Sequence, residues 1–461
     1  MDVPIEELRI GVIGSVDSGK STLTGVLTKD VLDDGRGLAR SKILRYPHEK
    51  ESGRTSSVAQ HFIRKRIVKE EIKNSNYDDK INASEKGSSN EKGSSNEKGS
   101  SDEKGSSDEK EGNNGREIEH TIGFIDLAGH EKYLKTTVSG INRCYIDYAC
   151  VVVGSNMGVL RMTLEHIGIS LSMNIPTFIV MTKIDLAPHN VRQKTYQDIL
   201  KLLKKKASKR VPILVKDDVG LKRVAQYYND GDYVTPIPIF QVSSVHGNGI
   251  DTLKKYIDDL QCYQNYDFLK KQDANFVIES TFMIKGIGLV VSGIVRSGII
   301  KKGDTLHIGP FGNTFHNVLV KTIHNNFQES IPQLEAGQSG CFSIKINSKI
   351  PIKRNNIRKG ARIMKHPNMY SGFKAIVKIL HHPTTIKKGY QPTIHSGAIS
   401  QVAKIRTITD LEGKEQDYLR LGDRALVEFK FVYRPEYIQP DTMLIFREGK
   451  TKGIGKIVEV F

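Results

Sequence analysis

Residues 8–27, LRIGVIGSVDSGKSTLTGVL, leave this chain little choice of fold. A short apolar run ends at Gly14, and a helical pattern opens at Lys20. The residues joining them, GSVDSGKS at 14–21, fit the phosphate-loop pattern G-x-x-x-x-G-K-[ST]. Such a joint needs a strand that passes through a glycine-rich turn into a helix, so the turn belongs at the carboxyl edge of a sheet. Gly14 and Gly19 allow the backbone N–H groups of Ser15, Val16, Asp17 and Ser18 to close around phosphate oxygens. Lys20 is expected to reach the β- and γ-phosphates and the Ser21 hydroxyl to ligate Mg2+. Thr22 adds a hydroxyl at the α-phosphate.

The runs TIGFIDLAG, YACVVVG, TFIVMTKID and PIFQVSSV repeat the first one: each is short, rich in β-branched residues and closed by glycine, polar or acidic residues. Amphipathic stretches such as RMTLEHIGISLSM and VRQKTYQDILKLLKKK separate them. This alternation predicts a mostly parallel α/β sheet over residues 1–265. After residue 270 the rhythm changes to short strands broken by Lys-Gly and Gly-Asp turns, which predicts all-β structure. Two small barrels are expected, 270–367 and 368–461.

Residues 85–110 repeat a six-residue unit, EKGSSN or EKGSSD, without one apolar side chain. Such a tract cannot offset its ordering entropy by burial, so a disordered insertion is expected at about 73–116. The four cysteines, Cys144, Cys150, Cys262 and Cys341, form no CxxC pair and no metal-ligand spacing, and their scarcity points to a reducing compartment. No basic and apolar leader opens the chain, and no run approaches the roughly 18 apolar residues of a membrane span. A soluble, cytoplasmic protein without a membrane partner is expected.

The net charge of +17 is unevenly placed. Residues 271–461 carry 29 Lys and Arg against 15 Asp and Glu, so +14 of the excess lies in the barrels. The densest stretch, 345–365, has eight basic residues and no acidic one. A clustered excess of this kind suits a polyanion such as RNA.

Three further segments complete a site. Asp126 ends the strand TIGFID, where its carboxylate can hold Mg2+ from the side opposite Ser21. Gly129 then lets a backbone N–H approach a γ-phosphate without a Cβ in the way. In TKID, 182–185, the Asp185 carboxylate matches the paired N1–H and N2–H donors of guanine, and the Lys183 stem covers the base. Ser243 and Ser244 are expected to complete the base pocket through backbone groups. His130, directly after Gly129, is by residue type either a turn residue or a catalyst.

The ordered set GSVDSGKST, DLAGHEKY, TKID and VSS resembles the translational GTPases of the elongation factor Tu/one-alpha superfamily. The stretch VLTKDVLDDGRGLARSKILRYPHEKESGRTSSV, 26–58, is similar to the narrower GTP-binding protein 1/2 subfamily. The resemblance spans the chain apart from the insertion. It implies an α/β phosphate-loop GTPase domain followed by two all-β barrels, binding GTP and GDP with Mg2+. It makes Thr55 the switch threonine on Mg2+, Asp17 a holder of a monovalent cation, and Val16 one side of an apolar gate. His130 becomes the histidine that turns toward the attacking water when the ribosome engages. A monomer is implied whose partners are the ribosome, aminoacyl-tRNA or another RNA, and a nucleotide-exchange partner. An alternative is a nucleotide-gated RNA adaptor in exosome-linked mRNA decay. Thr182 departs from the family's Asn; threonine is expected to lose the carboxamide's reach to the purine and the phosphate loop.

Overall fold

The computed structural model describes residues 5–44, 49, 58–69, 116–130, 137, 140–141, 143–206, 210–348, 352–448 and 451–461. The expected insertion at 73–116 therefore lies almost wholly outside the described residues, as does Thr55. Strands β1 (Ile5–Gly14), β2 (Ala59–Lys69), β3 (Arg116–Asp126), β4 (Tyr148–Gly154), β5 (Thr177–Thr182), β6 (Val211–Leu214) and β7 (Pro236–Gln241) form one mixed sheet. Their order is β2-β3-β1-β4-β5-β7-β6, with β1, β4, β5, β7 and β6 parallel. Residues 64–69 and 116–120 belong to a separate compact unit, in which Arg64 and Glu119 pair at 3.0 Å. The larger unit, Glu6–Ile63 and Thr121–Phe461, holds the site and both barrels.

Every residue of β4 and β5 is buried, because helices cover both faces of the sheet. The two-residue period of a strand divides β4 between two cores. Cys150 and Val152 pack with Leu23 and Val26 of helix α1 (Lys20–Lys29) and with Leu253 and Tyr256 of Ile250–Asp258. Val151 and Val153 pack with Ile167 of Arg161–Ser172 and with Ile199 and Leu203 of His189–Lys206.

Two closed, six-stranded antiparallel barrels follow, each around its own apolar core. In the first, strands Thr305–Phe311, Arg362–Met364, Asn275–Ile284, Gly288–Ser297, Ser339–Asn347 and Thr314–Asn325 pair in that order, and the last returns to the first. In the second, Gly372–His381, Arg424–Phe431, Ile399–Thr409, Thr393–Ser396, Met443–Glu448 and Thr451–Val460 close in the same way.

The sheet domain and the first barrel meet through buried charge. Arg9 on β1 is 1% exposed. It donates to Glu279 Oε1 of the barrel at 2.9 Å and to the Cys144 carbonyl, and it lies 3.5 Å from Glu7 Oε1. Glu7 in turn accepts from the backbone N–H of Ser339 at 2.9 Å and from its hydroxyl. Burial would pull the Arg9 guanidinium down, but Glu279 and Glu7 outweigh it and hold it above its ordinary value. Burial raises the Glu7 carboxyl, against the downward pull of Arg9 and Ser339.

The basic stretch 345–365 divides by burial. Arg358 makes a two-pronged ion pair with Glu436 of the second barrel, and buried Arg362 donates to Asn275 Oδ1 at 2.9 Å and to the Tyr145 hydroxyl. Lys345, Lys353, Arg354, Lys359 and Lys365 are exposed.

Asp147, buried before β4, accepts the Arg9 backbone N–H at 2.7 Å. Burial raises its carboxyl to about 7, against that hydrogen bond and the guanidiniums of Arg296 and Arg9. A carboxyl whose folded pKa is raised keeps its proton longer in the folded chain than in the unfolded one. Its contribution to stability is therefore full below about pH 4 and is lost as pH rises through 7. Asp147→Asn keeps the acceptor and cannot ionise. It should match the parent near pH 4 and exceed it by about 2–4 kcal/mol at pH 8, read from denaturant unfolding at both values. Identical pH dependence in the two proteins would exclude this role for Asp147.

Candidate nucleotide site

Four turns at the ends of β1, β3, β5 and β7 converge on one edge of the sheet. The first runs from Gly14 to α1. Gly19, at φ +89°, precedes the helix without giving it a side-chain cap, and the first turn holds no acidic residue. Its backbone N–H groups and the positive end of the helix dipole are left for an anion. Lys20 is only 7% exposed, and its ammonium donates to the Ser15 carbonyl at 2.8 Å. The other two N–H bonds of that ammonium have no acceptor among the described residues. Burial lowers the Lys20 pKa, against the upward pull of Asp126 and Asp17, and an incoming phosphate would reverse that cost.

The turn after β3 closes on the same point. A Cβ placed on Gly129 would lie 2.4 Å from Lys20 Nζ and 2.5 Å from the Gly14 carbonyl, so only glycine fits. The Ser21 hydroxyl donates to Asp126 Oδ2 at 2.6 Å, which brings together the two oxygens expected to hold Mg2+. Hard oxygen donors at this spacing fit such an ion, whose remaining ligands would come from substrate and water. His130 follows, exposed to solvent; Tyr133 lies outside the described residues. Val16 is half-buried, and Asp17 is exposed in a left-handed conformation, φ +58°.

The turn after β5 corrects one expectation. Thr182 does reach the phosphate loop: its hydroxyl donates to the Ser18 carbonyl at 2.6 Å. The Thr182 side chain packs against Gly19, its hydroxyl 3.4 Å from where a Cβ would stand, which is ordinary contact. Lys183, also left-handed at φ +58°, donates through Nζ to the Asp17 carbonyl at 2.7 Å. Two successive side chains thus brace the loop from below. Asp185 is exposed and lines a cavity of about 160 Å³ with Gly19, Thr22, Lys183 and Ser244. Ser243 is not in that wall. It is fully buried, and its hydroxyl and carbonyl accept the N–H groups of His246 and Gly247, shaping the turn that presents Ser244.

Two features escaped the sequence reading. Thr163, on the helix Arg161–Ser172, shares a 3.0 Å hydrogen bond with the Ser15 hydroxyl, and no local pattern marks it. Arg36 and Arg40 line the same cavity as Asp185. Both lie in the stretch 26–58 that resembles the narrower subfamily, where the turn-forming DDGRG precedes α2 (Leu38–Ser41), but no motif there marks them as ligand-facing.

Residues 6–262 match the family model described as the elongation factor Tu GTP-binding domain. GTP-binding protein 1 of Xenopus laevis is 39% identical over 98% of the chain, which spans 63% of that relative's length. Elongation factor 1-alpha of Sulfolobus acidocaldarius is 25% identical over 98% of the chain and 97% of its own length. Among solved structures, translation elongation factor SelB from Methanococcus maripaludis, in complex with the GTP analogue GPPNHP, superposes with a TM-score of 0.64 at 18% identity. That match covers 100% of this chain and 80% of SelB.

Proposed function

The chain belongs to the elongation factor Tu family of GTPases, and on that premise we propose that it is a translation factor with ribosome-stimulated hydrolysis. Its cargo would be aminoacyl-tRNA or a related RNA, carried to the ribosome as a cytoplasmic monomer, with release and reloading helped by a nucleotide-exchange partner. The observation that carries the nucleotide half of this reading is the buried Lys20 ammonium, two of whose N–H bonds find no acceptor among the described residues, where Gly129 comes closest. The exposed lysines and arginine of 345–365 support the RNA half, since phosphate contacts dominate RNA affinity.

The chain's groups would divide the work as follows. Asp185 selects guanine, Lys183 covers it, and Ser244 closes the pocket. The loop N–H groups and Lys20 stabilise charge on the β- and γ-phosphates as a water oxygen attacks γ-phosphorus and the bond to the β-phosphate oxygen breaks. Ser21, Asp126 and Thr55 would hold Mg2+, which when bound neutralises phosphate charge. Asp17 would hold a monovalent cation beside the phosphates. His130, exposed and next to Gly129, orients that water only when a partner turns it inward. Hydrolysis then removes the phosphate on which Gly129 and Thr55 close, and the switch relaxes.

Purified ribosomes charged with tRNA should accelerate GTP turnover by the parent, and His130→Ala should lose about 10²–10⁴-fold of that stimulated rate. If both proteins stay equally slow, delivery is the wrong reading. The second reading is a nucleotide-gated RNA adaptor linked to exosome decay, which the exposed basic residues of 345–365 suit equally well. It predicts tighter RNA binding in the GTP state with no ribosomal effect on turnover.

A further inference from the structure

The segment between α1 and the second helix, α2 (Leu38–Ser41), is a built wall. Asp33 accepts the backbone N–H groups of Gly35 at 3.1 Å and Ala39 at 2.9 Å, and Asp34 accepts those of Arg36 at 2.8 Å and Leu38 at 3.1 Å. The Asp33 N–H donates to the Ser244 carbonyl at 2.9 Å, which ties the wall to the base pocket. α1 and α2 touch at backbone distance: a Cβ on Gly25 would lie 2.3 Å from the Ala39 carbonyl.

This wall presents two guanidiniums, Arg36 and Arg40, to the cavity lined by Gly19, Thr22 and Asp185. Neither has a hydrogen bond or ion pair with a described residue, and the nearest acids in sequence, Asp33 and Asp34, spend their carboxylates on backbone N–H groups. Arg40 folds back across Gly37, where a Cβ would lie 2.3 Å from Arg40 Nε. Gly37 also sits at φ +100°, which disfavours any other residue there. Both the conformation and the vacant space hold the guanidinium over the cavity.

We infer that Arg40, with Arg36 beside it, clamps the sugar–phosphate part of the bound guanine nucleotide, pairing with the α-phosphate. The inference rests on the nucleotide reading above and adds to it a contact from residues other than those the phosphate-loop, magnesium and guanine segments supply. The cavity that Arg40 lines includes Gly19 and Thr22 but not Lys20, Ser21 or Gly129, so the clamp lies away from the γ-phosphate. It therefore holds GTP and GDP alike. Guanidinium suits this task, because it stays charged and offers planar donors to phosphate oxygens.

The test is release of fluorescent GDP and of a fluorescent non-hydrolysable GTP analogue from the full chain. Arg40→Gln should speed release of both by about tenfold, with a shallower salt dependence than the parent. Arg40→Lys should recover much of the loss, and Gly37→Ala, which evicts the guanidinium without removing it, should behave as Arg40→Gln does. Unchanged release from Arg40→Gln would overturn the clamp. So would faster release with an unaltered salt dependence, which would put the guanidinium against the base. Lys20→Ala separates the two levels of the reading. If parent and Lys20→Ala bind GDP equally weakly, guanine-nucleotide binding itself fails; if Lys20→Ala loses GDP while Arg40→Gln releases it at the parent's rate, the clamp alone falls.

Discussion

Arg9→Leu should lower the stability of the chain by about 3–5 kcal/mol, read as a drop in the denaturant midpoint of unfolding. The leucine fills part of the space but leaves Glu7 and Glu279 buried with no cation between them. Burial already raises the Glu7 carboxyl while Arg9 opposes the rise, so losing Arg9 raises it further. The penalty of a raised carboxyl grows as pH climbs from its unfolded value through its folded one, so the loss should be smaller at pH 5 than at pH 8. Pairing Arg9→Met with Glu279→Gln should recover part of the loss, because the double change removes the opposed charges together. An unmoved midpoint in Arg9→Leu would show that the cluster contributes nothing to holding sheet and barrel together.

The second large effect concerns the base. Asp185→Asn should weaken GTP binding by about 10²–10⁴-fold, since two charge-assisted hydrogen bonds to the guanine edge are lost. The asparagine amide can instead donate to the C2 oxygen of xanthine, so the variant should prefer xanthosine triphosphate in a competition assay. A variant that still selects GTP would remove Asp185 from the base pocket. Thr182 should not enter this balance, because its hydroxyl is committed to the Ser18 carbonyl beneath the loop. It braces the loop without choosing the base.

What could be read from the sequence follows from how each element is buried. β4 coincides with the run YACVVVG because an inner parallel strand, covered on both faces, is apolar at every position. The phosphate loop was legible for a different reason: its glycines answer to backbone geometry, which spacing records directly. β2, AQHFIRKRIVK, was hidden by its basic residues, as befits the edge of the sheet. β6 is four residues long and contains Pro212, so nothing marked it as a strand. Arg9 looked like an ordinary polar residue of ELRIG, because no local pattern announces a carboxylate that arrives 270 residues later. Thr182 was misjudged on side-chain length alone. The left-handed conformations of Asp17 and Lys183 set the two turns close enough for the Thr182 hydroxyl to reach the Ser18 carbonyl, and only the fold shows that.

The contact between the sheet and the first barrel has a bearing on how often it can be broken and remade. Two apolar surfaces pulled apart in water attract any other apolar surface, and each separation risks misassembly. Arg9, Glu7 and Glu279 behave differently once exposed, because water solvates each of them fully. Their release strengthens hydration as it breaks the pairing, so the separated faces stay soluble and specific. Were such a joint to open, its charged groups would meet water rather than bare apolar surface, so it would close again on the same partner.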